Sequence, residues 1–278
     1  MYTLGSSERA DLSLAVVIGA GTMGMAVARR LAQRHRVLLA DLRGAHAEAQ
    51  AAAMRAEGCD ARGLACDVTD LAAIAALAAR VAGLGGLGVL AHVAGLSPSL
   101  GDYTTIMRVN LRGVALVAEA LLPLARQGSA AVLIASLAAH NFRPSDDAIA
   151  VLQEPAAPDL AERLAAVISA EAATPQMAYV YAKWGILSYA RKQSRDWGAK
   201  GARIVSLSPG LIATSQGALE FENSPGKRAM YDQTPLAREG TMLEIADAVE
   251  FLVSERASFI SGTDLLVDGG LAGALGKD

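Results

Sequence analysis

Apolar positions follow two rhythms along this chain. One is the short uninterrupted run, which reads as a strand: LAVVIGAG (14–21), RVLLAD (36–41), LGVLAHVAG (87–95), SAAVLIAS (129–136) and ARIVSLSPG (202–210). ARGLACDVTD holds a further strand after the second, and GTDLLVDGG (262–270) is the last. The other rhythm fills the spaces between with helix-length segments. These are MAVARRLAQR, AHAEAQAAAMRAEG closing on Gly58, DLAAIAALAARVAG with Thr69 or Asp70 as cap, TTIMRVNLRGVALVAEALLPLAR, residues 178–197 and LEIADAVEFLVS.

A strand wet on one face alternates apolar and polar residues; these do not, so both faces of the sheet are expected to be covered. Strict alternation of such strands with helices predicts a single-domain, Rossmann-like, doubly wound parallel sheet of about seven strands spanning 1–278. Two segments break the rhythm. Residues 141–177 contain Pro144, Pro155, Pro158 and Pro175, with a short helix expected at 158–171. Residues 211–235 contain Gly217, Pro225, Gly226 and Pro235. Both follow carboxyl ends of strands, where open α/β sheets bind ligands, so both are expected to be substrate-lid segments.

Composition narrows the function classes. Of 278 residues, 53% are hydrophobic and 19% charged, which suits a folded core. The net charge of −3 comes with no basic stripe, so nucleic acid is not expected as a partner. Cys59 and Cys66 have no further cysteine and no adjacent histidine, and the four histidines lack ligand spacing, so neither a disulfide framework nor a metal site is expected. The N-terminal MYTLGSSERADLS does not read as a signal peptide, and no apolar run reaches the ~18 residues of a membrane span. The expectation is a cytoplasmic protein with no membrane partner.

GAGTMG places Gly19, Gly21 and Gly24 as G-x-G-x-x-G after a strand and at the opening of a helix, with Thr22 and Met23 inside the motif. Glycines permit the tight turn and let backbone N–H groups approach a pyrophosphate at the helix N-terminus. Asp41 ends the second strand, 41 − 19 = 22 residues after Gly19, followed by Leu42 and Arg43. A carboxylate at this spacing accepts from the adenosine ribose hydroxyls and repels a 2′-phosphate, which favours NAD. Arg43 keeps NADP open, and a plain helix cap is the other reading of Asp41.

Together these residues resemble the short-chain dehydrogenase/reductase family over nearly the whole chain, from about Leu14 to Gly270. CDVTD matches the family's Asp-Val pair, so the resemblance implies that Asp67 and Val68 contact adenine. HVAG (92–95) keeps the Ala94-Gly95 of the family's Asn-Asn-Ala-Gly, with His92 and Val93 in place of the asparagines. RVNLRG supplies Asn110, which in the family distorts its helix and helps hold a water beside the catalytic lysine. Ser136 matches the catalytic serine, and YVYAK gives Tyr179-x-x-x-Lys183. In SPGLIAT, Pro209, Gly210, Ile212 and Thr214 correspond to residues that embrace the nicotinamide end. Two features depart from the family. Its glycine loop would place glycines at Met23 and Met25. Its serine–tyrosine gap is commonly about a dozen residues, against 179 − 136 = 43 here.

The chemistry of these residue types agrees. A phenol is a poor acid–base group at its ordinary pKa of ~10, and a nearby ammonium favours its phenolate. Tyr179 and Lys183 stand four apart and share one helix face, whereas Tyr181 lies about 200° round from Tyr179 and belongs to core or interface. Ser136 would hold the substrate oxygen, and Asn110 would extend a proton relay. The resulting expectation is hydride transfer between a nicotinamide cofactor and a secondary alcohol or ketone. Phe142, Ile149, Val151, Leu152, Leu219, Phe221 and Met230 in the two long segments suggest a hydrophobic or cyclic substrate, a hydroxysteroid among the candidates. An NADPH-preferring carbonyl reductase and a non-catalytic NAD-binding scaffold are the alternatives. The resemblance implies a homotetramer; the insertion before the catalytic helix leaves a homodimer open.

Overall fold

The computed structural model describes residues 12–213 and 225–276. Seven strands form one parallel sheet: β1 (Leu14–Ile18), β2 (Arg36–Asp41), β3 (Ala61–Ala65), β4 (Leu87–His92), β5 (Ala125–Ile134), β6 (Arg203–Pro209) and β7 (Asp264–Val267). Their spatial order is β3-β2-β1-β4-β5-β6-β7. The chain winds outward from β1 in one direction and then, from β4, in the other. The crevice above β1 and β4 is therefore the topological switch point, where ligands of open α/β sheets bind.

β1 shows why its sequence does not alternate. Leu14, Val16 and Ile18 face one core layer while Ala15 and Val17 face the other, and all five are buried. On the first face lie α3 (Leu71–Gly83), α4 (Tyr103–Met107), α5 (Gly113–Leu121) and α8 (Pro175–Gly198). On the second lie α1 (Thr22–Leu31), α2 (Gly44–Ala56) and α10 (Met242–Val253). Asp70 caps α3, its Oδ1 accepting from the Ala72 N–H at 2.9 Å. Thr241 and Glu244 form a capping box on α10. No helix among the described residues is long and apolar enough to cross a membrane.

The segment expected as one long helix after β4 is interrupted. A π turn, Arg108–Arg112, separates α4 from α5, with buried Asn110 at its centre. The insertion is folded. It contains α6 (Asp146–Leu152), capped by Ser145, and α7 (Leu160–Val167). Ala148, Val151, Leu152, Leu160, Ala161 and Leu164 are buried in the same core layer as α8. Thr174 caps α8, its Oγ1 accepting from the Met177 N–H at 3.2 Å, and Pro175 takes the first helical position. In the second irregular segment, the described part includes α9 (Pro225–Asp232), and α11 (Leu271–Leu275) ends the chain's described structure.

Candidate active site

The glycine loop is fixed by backbone contact. Gly19 adopts φ +100°, a left-handed conformation that favours glycine, and its N–H donates to the Ala40 carbonyl at 2.7 Å. A Cβ there would lie 2.8 Å from the Ala94 nitrogen, so the β1 and β4 loops touch. A Cβ on Gly24 would lie 1.9 Å from the Gly19 carbonyl oxygen, so α1 starts directly against the turn. Gly21 differs: it is exposed, and a Cβ on it would meet nothing within 4 Å. No side chain caps α1 at Gly21, which leaves its first-turn N–H groups to an external acceptor. Thr22 is exposed and Met23 half-buried at this end, whereas Met25 is buried in the α1 face of the core. The residues therefore fit a pyrophosphate.

Asp41 closes the other side of this crevice. Its Oδ2 accepts from the Ala20 N–H at 2.8 Å and its Oδ1 from the Arg43 N–H at 3.0 Å. Arg43 is largely exposed, with Nε 4.0 Å from Oδ1. Leu42, the residue after Asp41, is 68% exposed at the rim of the crevice. Asp67 caps its own turn, Oδ1 accepting from the Thr69 N–H and hydroxyl at 2.8 and 2.7 Å, and Val68 is buried beside it. His46, with no sequence signal to mark it, donates through Nε2 to the Ala20 carbonyl at 3.1 Å and holds the loop from beneath.

Ser136, Asn110 and the Tyr179–Lys183 pair come from three different places in the chain: the end of β5, the π turn and α8. Ser136 follows β5, and its Oγ accepts from the Ala138 N–H at 3.2 Å. Asn110 clasps the loop after β4 with both ends of its amide: Oδ1 accepts from the Leu96 N–H at 2.7 Å, and Nδ2 donates to the Leu96 carbonyl at 2.8 Å. Lys183 is 5% exposed, and its Nζ donates to the Ile134 carbonyl at 2.8 Å. Nζ also lies 5.6 Å from the centroid of the Tyr179 ring. Burial pushes the ammonium down to about 8. A Cβ on Gly95 would stand 3.4 Å from Asn110 Oδ1 and 3.6 Å from Lys183 Nζ, which places the Ala94-Gly95 loop against both. The close approach of α8 to the π turn needs Gly185, where a Cβ would meet the Leu111 side chain at 2.6 Å.

Pro209 ends β6, and the Gly210 N–H donates to the Val267 carbonyl at 2.9 Å. Ile212 pairs with Gly240 in an isolated bridge. Thr214 lies outside the described residues, as do Leu219 and Phe221. His140, beyond Ser136, bonds through Nε2 to Asp264 Oδ2 at 2.9 Å.

The insertion lies on the outer side of α8. Phe142 meets Tyr181 edge to face at 4.8 Å between ring centroids. Gln153 Nε2 donates to Ser188 Oγ at 3.0 Å, and Lys192 Nζ to the Gln153 carbonyl at 2.8 Å. Arg112 Nε reaches the Ala156 carbonyl at 3.3 Å. Val151 and Leu152, counted among the apolar residues that suggested a hydrophobic substrate, are thus committed to core packing. A crevice of about 400 Å³ between insertion, α5 and α8 shares no residue with the Ser136–Tyr179–Lys183 group.

A parallel doubly wound sheet with an uncapped glycine-loop helix at its switch point defines a dinucleotide-binding protein. A family model described as Enoyl-(Acyl carrier protein) reductase matches residues 19–154 and 163–272. A short-chain dehydrogenase/reductase, bsc3, of Alternaria brassicicola is 31% identical, with 96% of this chain and 98% of the relative covered. D-threitol dehydrogenase of Mycolicibacterium smegmatis is 31% identical over 94% of both chains. The crystal structure of gox2181 shares the fold at a TM-score of 0.76 and 24% identity, covering 95% of this chain and 98% of that one. The chain belongs to the short-chain dehydrogenase/reductase family. It is a nicotinamide-dependent oxidoreductase of alcohols and ketones.

Proposed function

We propose that the chain transfers hydride between NAD and a secondary alcohol or ketone, with Tyr179 as general acid and base. The observation that carries the reading is Lys183: a nearly fully buried ammonium on the Tyr179 face of α8, held by the Ile134 carbonyl beside Ser136. A fold without catalysis gains nothing from desolvating a lysine there, since burial disfavours its charge.

Gly19, Gly21, Thr22, Met23 and Gly24 would hold the pyrophosphate, and Asp41, Leu42, Arg43, Asp67 and Val68 the adenosine. Ala94, Gly95, Pro209, Gly210, Ile212 and Thr214 would line the nicotinamide end. When bound, the cofactor supplies or takes the hydride. The protein supplies the proton. The Tyr179 hydroxyl donates to the carbonyl oxygen during reduction and receives the proton during oxidation. The Lys183 charge favours phenolate and so lowers the cost of the exchange. Ser136 donates to the same substrate oxygen and orients it. Asn110 fixes the Leu96 backbone and with it the wall of the site.

On this reading NAD is favoured over NADP, because a carboxylate at the end of β2, as Asp41 is, would repel a 2′-phosphate. The 3-alpha-hydroxysteroid dehydrogenase/carbonyl reductase of Comamonas testosteroni, 29% identical over 64% of this chain, supports a cyclic substrate; D-threitol dehydrogenase supports a polyol. Both names belong to one reaction class, oxidation at a secondary carbinol or its reverse. The insertion covers part of the α5–α8 surface, which favours a homodimer over a homotetramer. The test is a panel of alcohols and ketones with NADH and NAD, run on the wild type and on Tyr179→Phe. The variant should bind cofactor normally and lose about 10²- to 10⁴-fold in kcat; unchanged turnover would overturn the assignment.

A further inference from the structure

His92 ends β4 and is 1% exposed. Its register partners, Ile18 on β1 and Leu133 on β5, both belong to the core layer that contains Ala182 and Ile186 of α8. Register partners in a parallel sheet share a face, so the imidazole points toward α8. The Lys183 ammonium is bonded to the carbonyl of Ile134, the residue after that partner Leu133. Histidine, from the sheet, and lysine, from the helix, therefore meet between β4–β5 and α8.

Neither His92 ring nitrogen has a hydrogen-bond partner on another residue. Buried polar groups are rarely left so, and where the protein offers no partner a buried water usually does. Lys183 is the complementary group: its ammonium has three N–H donors, and one is taken by Ile134. The ring is held neutral. Burial, and then the Lys183 charge, push its pKa down to about 3. A neutral imidazole keeps one nitrogen as an acceptor.

We infer that His92 is a positioning residue for Lys183: one ring nitrogen accepts from a buried water at the back of the site, and that water accepts from the ammonium. This rests on the role proposed for Lys183, but its test does not require turnover. The groups that face Lys183 are Tyr179 on its own helix, the neutral amide of Asn110 from the π turn, and His92 from β4. A bond accepted from the ammonium favours its charged form and opposes the effect of burial.

The chain's lysines are Lys183, Lys192, Lys200, Lys227 and Lys277, few enough for each side chain to be followed by NMR in the ligand-free protein labelled with 13C at lysine Cε. Loss of a signal in Lys183→Arg assigns Lys183. Its titration midpoint should fall by about one pH unit in His92→Leu, the size expected for one charge-assisted hydrogen bond, and stay near the wild-type value in His92→Asn. A midpoint that is unchanged or rises in His92→Leu would overturn the inference. A second measurement needs no variant: the acceptor nitrogen of His92 in the 15N-labelled wild type should resonate upfield of a free imidazole nitrogen. A free-imidazole shift would equally refute the bond. Failure of both alongside loss of activity in Tyr179→Phe would reject the His92 role and leave the proposed reaction standing.

Discussion

Gly21 and Gly24 lie three residues apart in one loop, yet alanine should damage them in separable ways. At Gly24 the new Cβ would lie 1.9 Å from the Gly19 carbonyl oxygen, whereas an ordinary C···O contact is about 3.3 Å. Both neighbours are backbone, so nothing can rotate aside, and α1 must retreat by about 1.4 Å. Overpacking of this kind costs about 1–3 kcal/mol, and a rigid neighbour argues for the upper end. Alanine's helix propensity returns at most about 1 kcal/mol. The net loss of about 2 kcal/mol should lower Tm by about 4–8 °C in a domain of this size. The displaced helix N-terminus should weaken NADH binding by about tenfold or more.

At Gly21 the Cβ meets nothing within 4 Å, and φ of −70° suits any residue. Losing glycine as the N-cap costs well under about 1 kcal/mol, so Tm should barely move. The methyl group nevertheless enters the space in front of the uncapped helix, so NADH affinity should fall as it does for Gly24→Ala. Differential scanning fluorimetry without cofactor and NADH fluorescence titration read the two effects. Undiminished NADH binding by Gly21→Ala would refute the phosphate site. An undiminished Tm for Gly24→Ala would refute the packing argument.

Asp41→Ala should raise the affinity for NADPH relative to NADH; the ratio is the proper measure, because both cofactors lose the loop fixed by the Asp41–Ala20 bond, and an unaltered ratio would remove Asp41 as the selector. Lys183→Met should stabilise the ligand-free protein at pH 7 by on the order of 1 kcal/mol, the relief of burying an ammonium offset by an unpartnered Ile134 carbonyl. The sign follows from the lowered pKa of about 8 against an ordinary 10.5: between these values the unfolded chain binds more protons, so wild-type stability rises with pH there and the variant's should not, as read by urea denaturation. Phe142→Ala should lose about 2 kcal/mol, less than for a fully buried phenylalanine, and should open 141–177 to protease faster than other loops; an unchanged cleavage pattern would show that the contact with Tyr181 does not hold the insertion.

The sheet was legible because its central strands, β1, β4 and the later part of β5, are apolar on both faces, a property the sequence displays directly. Strand ends were not. Residues 19–21 read as strand, but Gly19 turns left-handed out of the sheet after Ile18. β5 starts at Ala125, earlier than the apolar run, because Arg126, Gln127 and Gly128 are exposed beside a register shift against β4. α6 is too short to show a helical period, and the π turn left no mark beyond Asn110 itself. Spacing brought Tyr179 and Lys183 together, since one helix turn is a local property. It could not show that Lys183 binds the Ile134 carbonyl, because backbone partners have no residue type to read. The departure at His92 was visible as a residue, but its position behind the ammonium came only from register.

The insertion separates Ser136 from Tyr179 in sequence but need not do so in space. Its two ends are already anchored near the site, one at the end of β5 and the other at the Thr174 cap of α8. What it adds is a second set of contacts to α8: Phe142 on Tyr181, Gln153 on Ser188, and Lys192 on the Gln153 carbonyl. These begin two residues past Tyr179 and continue for about three turns of the helix. On the same stripe of the helix, Gly185 seats it against Leu111 of the π turn. A helix held along one whole stripe by contacts from two different segments resists rotation about its own axis, and rotation is the motion that would carry Tyr179 and Lys183, on the far face of the same helix, off the Ser136 side together. The extra residues thus bear on the orientation of α8, although they lie on the face away from Tyr179 and Lys183.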